Sequence, residues 1–466
     1  MAGGTVTVGG TVDVSAALSG EDALQGVRDL ALRPSPYGVA GLLSECVNGD
    51  PSAWRLDLLR TKFKPSRKLS AYYRLPSAGG GRSIAVTWSA EPAASRAEAD
   101  ELEDDARARG LLAPFSHLTA MSDDGRINLL ISPADPVLPQ LVRTSQESYL
   151  EGMVAALAGP LQLRSPAAMT VRTIRYRPGQ RHVLAISTTH DGDTVAFVKL
   201  DRDDCGERAV RIAEIVGPQL AASCRGASMV KPWGYSAADR ASVWKPAPGM
   251  VLWQRAEQWG VTSVARSVAL VGRALRVLHD SGPDTDAARV VAEEGLLAHR
   301  TVAGEASATV RAGEHIDVLL PSSGATYRAV VADVLVRLGS LDSEVPGFIH
   351  GDAKGDNIMV DDDGICLLDL DRFSSGEPAL DLGKFLADLR WWCRALGLDE
   401  AVLAAAFVDG YGGRCHLRWE RASLIAVLFS LKLAARRGAV HDPAWASQTT
   451  RAIAEAAARL DAEPVP

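Results

Sequence analysis

The segment from residue 350 to residue 357 contains residue types at a spacing that could support phosphoryl transfer. It reads HGDAKGDN and places Asp352 five positions before Asn357, in the pattern H-x-D-x-x-x-x-N. Moving a phosphoryl group onto a hydroxyl requires a carboxylate to orient or deprotonate that hydroxyl, and oxygen atoms to hold magnesium. An aspartate and an asparagine at this spacing fill those two roles in loops that catalyse the reaction. We therefore predict that Asp352 is the catalytic carboxylate and Asn357 a metal ligand.

A second carboxylate follows at Asp369, twelve positions after Asn357. Two short apolar stretches lie between them and flank an Asp-rich turn ending at Gly364, which predicts a β-hairpin. Because the hairpin returns to the loop, Asp369 is expected to share magnesium with Asn357. Asp371 would face the same side, and we expect it to support the metal site without binding the ion. The three carboxylates of residues 361–363 are expected to form a solvated turn.

Two further residues of the loop have expected roles. Lys354 stands two positions after Asp352, where its ammonium could lean toward a transferring γ-phosphate and offset its charge. An ordinary surface lysine is the alternative. His350 is expected to support the loop rather than to act as an acid or base, because Asp352 already supplies the catalytic carboxylate.

Phosphoryl transfer also requires a cation on the phosphates that are not transferred. Residues 169–254 have the pattern of strand, Pro-Gly turn, strand, strand and helix, which could position such a cation. The lysines in this range are Lys199, Lys231 and Lys245. The last two each precede a proline, which disfavours regular strand positions nearby. We therefore predict that Lys199, at the end of an apolar strand, contacts the phosphates.

The acidic partner of Lys199 is expected on the helix that follows it. Glu207 and Glu214 are both candidates, and the distance along the helix favours Glu214. The turn between the first two strands of this region contains Gly179 and Arg181, and its backbone N–H groups, with Arg181, would lie over the phosphates. An ordinary hairpin turn is the alternative for that segment.

The length of the chain, 466 residues, exceeds what one hydrophobic core usually organises. We expect a flexible arm at residues 1–24, a mixed α/β unit at residues 25–160, a β-rich lobe at residues 161–254 and a helical lobe at residues 255–466. Strands are predicted at residues 56–64, 69–75, 82–88, 126–131, 170–176, 182–188, 194–200 and 242–245. Helices are predicted at residues 95–109 and 205–215.

The two strand-containing units resemble each other in sequence. Residues 59–69 are similar to residues 171–183, and residues 128–138 are similar to residues 242–252. The similarity suggests an internal duplication of one small lobe, with chance similarity of short strands as the alternative. If the first unit is a copy, it has Trp88 where the second has its lysine, and we do not expect it to bind ATP in the usual way.

Composition narrows the class of protein. Hydrophobic residues make up 47% and charged residues 23% of the chain, as in ordinary globular proteins. The net charge of -7 argues against a nucleic-acid partner that needs a general cationic surface. We expect no membrane span, because no run of 18 apolar residues occurs. The start of the chain has no secretion-signal pattern, so we expect a cytoplasmic protein with reduced cysteines.

Several of these motifs together resemble the aminoglycoside phosphotransferase family, whose members have a kinase-like fold. HGDAKGDN is similar to the family's Brenner-type loop, and the stretches at residues 367–371 and 377–383 are similar to the signature that follows that loop. Residues 275–282, LRVLHDSG, resemble a helix end of the family, and residues 407–411, FVDGY, resemble one of its C-lobe helices. The resemblance covers about residues 169–411.

The resemblance implies an α+β, bilobal protein-kinase-like fold with a β-rich N-lobe and a helical C-lobe. It implies ATP and Mg²⁺ as cofactors and a hydroxyl of a sugar, an aminoglycoside or another natural product as acceptor. Residues 248–249, Pro-Gly, resemble the segment just past the adenine-binding hinge, which implies nucleotide contacts from Val243 and Lys245. Asp381 would brace the catalytic loop.

The family needs no region like residues 1–160. We expect this region to be an α/β cap domain, with a degenerate copy of the N-lobe as one origin. It would shape the acceptor pocket or form an oligomer contact.

Three other functions share some of these features. A protein kinase is disfavoured because the short distance from Asp369 to Pro378 leaves no room for a long activation loop, and no A-P-E follows. A choline-type or fructosamine-type kinase shares the motifs. A pseudokinase that regulates a partner predicts loss of a key residue, yet all the expected ones are present. The helices after Asp381 are rich in arginine, so a neutral sugar or a nucleoside-like acceptor is an alternative to a polycationic aminoglycoside.

Overall fold

The computed structural model of the protein describes residues 18, 22–47, 55–75, 82–92, 97–158, 169–188, 192–281, 285–413 and 416–461. It divides the chain into two compact units. The first unit comprises residues 1–145, 314–321 and 439–446, and the second comprises residues 146–313, 322–438 and 447–466. Most of the expected arm at residues 1–24 lies outside the described residues. The expected boundary at residue 160 does so as well.

The first unit contains a five-stranded antiparallel sheet flanked by helices. Its helices are α1 (Ala23–Leu32), α2 (Val39–Cys46), α3 (Ala97–Ala108) and α4 (Leu141–Thr144), with a 3-10 turn at Ser35–Tyr37. Its strands are β1 (Asp57–Lys64), β2 (Lys68–Arg74), β3 (Ser83–Ser89), β4 (Thr119–Met121) and β5 (Ile127–Ile131). The strand order is β1-β2-β3-β5-β4.

One face of this sheet forms the core of the first unit. Ile84, Val86 and Trp88 alternate along β3 and are all buried. Across the ladders, Trp88 pairs with Leu69 and Val86 pairs with Leu129, both of them also buried. Side chains two apart on a strand share a face, so the alternation in the sequence fixes which face packs.

The second unit begins with a lobe built on the same plan. Its strands are β6 (Met169–Arg177), β7 (Arg181–Thr188), β8 (Thr194–Asp201), β9 (Ala227–Met229), β10 (Pro232–Ser236), β11 (Ala241–Trp244) and β12 (Met250–Val251). Its helices are α5 (Glu147–Ala158) and α6 (Cys205–Ser223). The main sheet has the order β6-β7-β8-β11-β10, again with all neighbours antiparallel.

Strand order and turns match between the two sheets. In each, three consecutive strands are followed by a helix and later by a hairpin whose second strand pairs with the third strand, and only the second lobe has an extra strand, β9, between that helix and that hairpin. The first hairpin closes on the pair Lys64 and Lys68 in one sheet and on Arg177 and Arg181 in the other, around three residues each time. This agreement in topology supports an internal duplication.

The register corrects one detail of the sequence interpretation, because Thr87 rather than Trp88 is the counterpart of Lys199. Thr87 pairs with Asn128 as Lys199 pairs with Ser242, at matching positions of the two sheets. Trp88 lies one residue further along and on the opposite face, where it is buried. A shift of one residue changes the face of a strand, and a short sequence similarity does not fix it.

The rest of the second unit is mainly helical, although residues 314–321 and 439–446, which include ends of three of these helices, belong to the first unit. The helices are α7 (Leu252–Trp259), α8 (Val261–His279), α9 (Asp286–Glu293), α10 (Val302–Leu319), α11 (Pro321–Gly339), α12 (Ala379–Leu396), α13 (Glu400–Gly410), α14 (His416–Arg437) and α15 (Trp445–Asp461). Helices α12 and α14 pack closely, since a Cβ at Gly383 would lie 2.7 Å from Ile425. None of the helices in the described part of the chain has the length and apolarity needed to cross a membrane.

Two small sheets hold the segment that contains the predicted loop. Their strands are β13 (Ala298–Arg300), β14 (Gly347–Ile349), β15 (Ile358–Val360), β16 (Ile365–Leu367) and β17 (Ser374–Gly376). One sheet has the order β12-β15-β16-β9 and the other β13-β17-β14. The predicted hairpin is present as β15 and β16, and it links the segment after the β-rich lobe to the catalytic loop.

Candidate active site

The predicted catalytic loop follows β14 and turns at Gly351. Gly351 has φ +72°, and a Cβ there would lie 2.1 Å from the carbonyl oxygen of Arg372. Glycine is the residue that tolerates both the left-handed backbone and the close approach. The loop and the chain just after Asp371 can therefore lie against each other.

Asp381 at the start of α12 holds the loop from behind. Its Oδ2 accepts a hydrogen bond from the backbone N–H of His350 at 2.6 Å, and its Oδ1 accepts one from Gly351 at 2.8 Å. Nε2 of His279 lies 3.4 Å from the same carboxylate. Asp381 is 1% exposed. Burial acts to raise the pKa of Asp381, but His279 and these hydrogen bonds hold it below its ordinary value.

His350 connects the loop to the hairpin. Its Nε2 lies 3.0 Å from the carbonyl oxygen of Leu368, and its Nδ1 accepts a hydrogen bond from the N–H of Asp352 at 3.3 Å. This pattern requires the ring proton on Nε2. Both ring nitrogens are thus engaged within the fold, in agreement with a supporting role for His350.

Asp352 lies among cationic and amide groups. Lys354 Nζ donates to its Oδ2 at 2.7 Å, and Lys384 Nζ lies 3.1 Å from its Oδ1. Asn357 Nδ2 donates to the Asp352 carbonyl at 3.0 Å and to its carboxylate at 3.2 Å. Burial acts to raise the pKa of Asp352, but Lys384 and Lys354 hold it well below its ordinary range. Asp352 is therefore ionised at neutral pH.

Sequence reasoning missed Lys384. It lies on α12 one turn after Asp381, and residues three apart on a helix share a face. That spacing was the only signal in the sequence. Identifying Lys384 required knowing that α12 packs against the loop.

The hairpin places Asp369 next to Asn357. The two strands pair with Ile358 opposite Leu367, and the N–H of Leu368 donates to the Asn357 carbonyl at 2.8 Å. Asp369 follows with φ +59°, in the left-handed region. That conformation ends the strand and begins a 3-10 turn.

Lys199 at the end of β8 contacts the chain after the hairpin. Its Nζ donates to Asp369 Oδ1 at 3.1 Å and also forms an ion pair with Asp371. Arg181 NH1 lies 3.5 Å from Asp369 Oδ1 and 3.3 Å from Asp371 Oδ2. Two cations of the β-rich lobe thus face two carboxylates of the helical lobe. Asp371 binds Lys199 directly, which the sequence had not indicated.

These charges determine the protonation states of the two central groups. Burial acts to raise the pKa of Asp369, but Lys199 and Arg181 hold it well below its usual range. Burial acts to lower the pKa of Lys199, but Asp369, Asp371 and Asp201 raise it above its usual value. Both groups are therefore charged at neutral pH.

Glu214 does not pair with Lys199, which corrects the sequence expectation. Glu214 is exposed on α6 and forms an ion pair with Arg211 at 2.5 Å. The alternative candidate, Glu207, is exposed as well. The reason is the helix face, because the residue before Glu214, Ala213, is the one that is buried.

The turn with Gly179 and Arg181 lies between β6 and β7, as the Pro-Gly pair predicted. Gly179 has φ +67°. Arg181, the first residue of β7, contacts the carboxylates of Asp369 and Asp371. The structure thus brings Arg181 into the site.

The two predicted hinge side chains point elsewhere. Val243 pairs with Val198 on β8 and is buried. Lys199 is the next residue of β8, so Val243 lies on the opposite face. Lys245 Nζ lies 3.9 Å above the ring of Trp233. Trp244 is the hinge residue whose side chain shares a face with Lys199, and sequence reasoning did not single it out.

The chain just after the hinge lies against the hairpin. A Cβ at Gly249, which has φ +84°, would lie 2.1 Å from the Val360 carbonyl oxygen. Met250 then pairs with Val360. In the hairpin turn, Asp361 Oδ1 accepts hydrogen bonds from the backbone N–H groups of Asp363 and Gly364. The expected solvated turn is therefore present.

A second group of ligand-type atoms lies beside Lys199. Side-chain atoms of Asp201, Cys205 and Asp371 lie within 4.8 Å of one another. Burial raises the pKa of Asp201 to about 6, and burial raises the pKa of Cys205 above its usual value. A protonated thiol is a poor metal ligand.

Fold and site define the second unit as a bilobal, protein-kinase-like phosphotransferase. The chain belongs to the phosphotransferase enzyme family designated APH, whose model matches residues 189–426, slightly more than half of the chain. This result confirms the family resemblance of the motifs. No curated protein sequence matches the chain.

Solved structures similar to this one belong to several kinds of kinase. The GDP complex of aminoglycoside 2'-phosphotransferase-IIIa is 12% identical, with TM-score 0.47, and the match covers 68% of this chain and 99% of that one. An ethanolamine kinase of Plasmodium vivax is 10% identical, with TM-score 0.44 and coverage of 67% and 88%. A choline/ethanolamine kinase family protein from Mesorhizobium loti is 16% identical, with TM-score 0.42 and coverage of 67% and 95%.

Replacing Asp381 tests its bracing of the loop. Asp381→Ala leaves two buried backbone N–H groups without their acceptor, and we expect it to lower the free energy of unfolding by about 3 kcal/mol. Asp381→Asn, which keeps one acceptor oxygen, should lose less. The measurement is urea unfolding followed by circular dichroism, with the exposed Asp409→Asn as control. Equal stability of Asp381→Ala and Asp409→Asn would contradict the role assigned to Asp381.

Proposed function

We propose that this chain transfers the γ-phosphoryl group of ATP to a hydroxyl group of a small molecule and requires magnesium. One observation carries the proposal. Asp352, ionised between two lysines, lies on the same loop and hairpin that present Asp369 to Lys199. A hydroxyl-orienting carboxylate, a metal-binding carboxylate and a phosphate-binding lysine are the groups that this reaction requires.

Asp352 would act on the acceptor hydroxyl. The hydroxyl oxygen attacks the γ-phosphorus, the bond from that phosphorus to the bridging oxygen breaks, and ADP leaves. A carboxylate with a depressed pKa is a weak base, so Asp352 would mainly orient the hydroxyl and accept its proton late, as the new P–O bond forms. Lys354 lies beside Asp352 and would offset the charge of the transferring group.

Asp369 and Asn357 would hold magnesium. The donor set fits a hard cation, because both offer oxygen and the depressed pKa of Asp369 keeps its carboxylate ionised. The amide of Asn357 is oriented by its Nδ2, which donates to Asp352. This leaves Oδ1 as the ligand atom. When bound, magnesium would neutralise charge that develops on the transferring phosphoryl group.

Lys199 and Arg181 would bind the phosphates that are not transferred. Both reach Asp369 and Asp371 across the cleft between the lobes. When the nucleotide binds, its phosphate oxygens would replace these carboxylates as partners of Lys199 and Arg181. The free-energy cost would be modest, because each cation keeps an anionic partner. The backbone turn at Gly179 adjoins Arg181 and would cover the same phosphates.

The nucleotide base would lie near the hinge after β11. Trp244 shares the face of Lys199, and Lys245 directly follows the strand that Trp244 ends. Because the Lys245 ammonium lies over Trp233, contacts from Lys245 or Val243 to a nucleotide would come from the backbone.

A small acceptor fits the chain after Asp369. The 3-10 turn Leu370–Arg372 leads directly into β17, which pairs with both β13 and β14. This segment is held in a sheet and ends at Pro378, where α12 begins. A peptide-binding activation loop has no place there, which favours a small hydroxyl compound over a protein substrate.

Asp352→Asn tests the proposal. We expect it to reduce transfer by about 100- to 10,000-fold, because the carboxylate that receives the hydroxyl proton is lost. Nucleotide binding should persist, since Asp369 and Lys199 are unchanged. The measurement is ADP release with MgATP across sugars, aminoglycosides, nucleosides and amino alcohols, with calorimetry for nucleotide binding.

The matched control is Asp362→Asn in the hairpin turn, whose side chain is 94% exposed. It should leave ADP release unchanged. If Asp352→Asn transfers the phosphoryl group as fast as the unmodified protein, Asp352 is not the catalytic carboxylate. No transfer to any compound, together with no magnesium-dependent ATP binding by the unmodified protein, would contradict the proposed function altogether.

Lys199→Met and Glu214→Gln separate the observed ion pair from the one expected from sequence. Lys199→Met removes the cation that faces Asp369, and we expect kcat/KM for ATP to fall by about 100-fold. Glu214→Gln should change it by less than about twofold, because Glu214 is exposed and pairs with Arg211. Steady-state kinetics with varied ATP gives both values. A large loss of kcat/KM in Glu214→Gln, without one in Lys199→Met, would contradict these assignments and favour the ion pair between Glu214 and Lys199 that the sequence predicted.

The pH dependence tests the electrostatics of Asp352. Its pKa lies below the ordinary value, so the ionised form persists as pH falls and is lost only below that depressed pKa. From about pH 5 to about pH 8, protonation of Asp352 should therefore not limit kcat. Lys384→Met removes one stabilising cation and raises the pKa of Asp352, so the acid limb of the kcat profile should move to higher pH. An unmoved limb would show that Lys384 does not set this pKa.

A further inference from the structure

Apart from Lys354 and from Arg437, which pairs with Asp356, four cationic side chains lie around the catalytic loop. They come from four separate segments of the second unit. They are Arg300 of β13, Arg372 of the 3-10 turn, Lys384 of α12 and Lys432 of α14. Their convergence results from the tertiary fold and not from a basic stretch of sequence.

The two arginines flank the loop at Gly351. Arg300 NH1 donates to the Gly351 carbonyl oxygen. Arg372 approaches the same glycine through its own carbonyl oxygen, 2.1 Å from where a Cβ would stand. Gly351 directly precedes Asp352, and the charge of the Arg372 side chain acts to lower the pKa of Asp352. Both arginines therefore lie close to the residue that would orient the acceptor.

The two lysines lie over one aromatic ring. Lys384 Nζ is 4.8 Å and Lys432 Nζ is 5.5 Å from the ring centroid of Phe429. Lys384 reaches Asp352 at 3.1 Å. Lys432 reaches Glu305 at 2.6 Å and is 5% exposed.

The carboxylates near these cations are already engaged. Asp352 pairs with two lysines, and Glu305 pairs with Lys432 and with an arginine. Asp381 is buried and accepts two backbone hydrogen bonds. Arg372 remains. Its side chain is exposed, and in the described part of the chain its guanidinium forms no ion pair or hydrogen bond.

Lys432 is buried among other cationic side chains. Burial, together with repulsion from neighbouring cations, lowers the pKa of Lys432 to about 6. The ion pair with Glu305 acts in the opposite direction. The repelling side chains are Arg436, Lys384, Arg372 and Arg300.

We propose that the acceptor is an anion: a small hydroxyl compound with a carboxylate or phosphate group that Arg372 binds while its hydroxyl meets Asp352. This inference rests on the proposed function and narrows its substrate class. A guanidinium recognises either group through two parallel hydrogen bonds. The surrounding lysines and Arg300 offset the repulsion between an anionic acceptor and the γ-phosphate.

The same charges disfavour a polycationic acceptor. Several ammonium groups brought next to Arg372, Arg300 and Lys384 would face like charges in a partly buried site, where repulsion is weakly screened. A neutral sugar would meet no such repulsion, but it would leave Arg372 without a partner. The charges thus rank the acceptor classes as anionic, then neutral, then polycationic.

Matched acceptors test the ranking. ADP release with saturating MgATP is measured for glycerol, glycerate and glycerol 3-phosphate, for glucose, glucuronate and glucose 1-phosphate, and for adenosine and its 5'-monophosphate. We expect at least one anionic member to exceed its neutral counterpart by at least about tenfold in kcat/KM. Comparison of the carboxylate and phosphate members of a series identifies which group is bound.

Arg372→Gln shows whether that preference comes from this residue. We expect kcat/KM for the preferred anion to fall by about 10- to 100-fold, mainly through KM, while the KM for ATP changes by less than about twofold. Arg372→Lys should recover part of the loss, because it keeps the charge without the fork of donors. Arg289→Gln, on the exposed face of α9, is the matched control.

The outcomes separate this inference from the proposed function. The inference is overturned if the neutral compounds are preferred, or if Arg372→Gln changes the KM for ATP instead of the KM for the acceptor. In either case, transfer that depends on Asp352 still supports the proposed function. If no compound in the panel is phosphorylated, the same compounds are titrated by calorimetry into the protein loaded with ADP and magnesium. Binding of an anion that weakens in Arg372→Gln supports the inference, and equal binding or no binding overturns it.

Discussion

Two backbone N–H groups, those of His350 and Gly351, donate to the buried carboxylate of Asp381, and the rest of the site depends on that contact. It ties the start of the catalytic loop to α12. Because the loop is held there, His350 can hydrogen-bond to Leu368 at the end of the hairpin. The position of Asp369, one residue further, then follows from the backbone. Breaking a buried hydrogen bond costs more than making one gains, which explains how one carboxylate can hold several elements in place.

Charge distribution divides the site into two parts. On the side of the β-rich lobe, Lys199 and Arg181 face Asp369 and Asp371, so charges of opposite sign are matched. On the side of α12 and α14, two lysines contact the carboxylate of Asp352, and Lys432 lies over the same aromatic ring as one of them. The part with matched charges suits the phosphates of the nucleotide, which can replace Asp369 and Asp371 as partners of the cations. The part around Asp352 suits an anionic acceptor. The depressed pKa of Asp352 results from the two lysines that contact it.

The two sheets show how a duplicated topology can carry different side chains. They share strand order, the length of the first turn and the position of a helix. They differ in the side chain that the third strand carries at the position of Lys199. Thr87 stands where Lys199 stands, and Trp88 fills the core on the opposite face. The first sheet thus retains the architecture without the lysine that would bind phosphates. That the first unit shapes the acceptor pocket or forms an oligomer contact stays a prediction.

The sequence by itself determined what depends on short spacings. The loop from Asp352 to Asn357, the hairpin that returns to Asp369 and the strand that ends at Lys199 were predicted, because local hydrogen bonding and alternation fix such features within a few residues. Only the tertiary structure decided which side chains meet across long separations. Lys384 reaches Asp352, and Asp371 rather than Glu214 pairs with Lys199, because helix faces and strand register depend on packing between elements far apart in the chain.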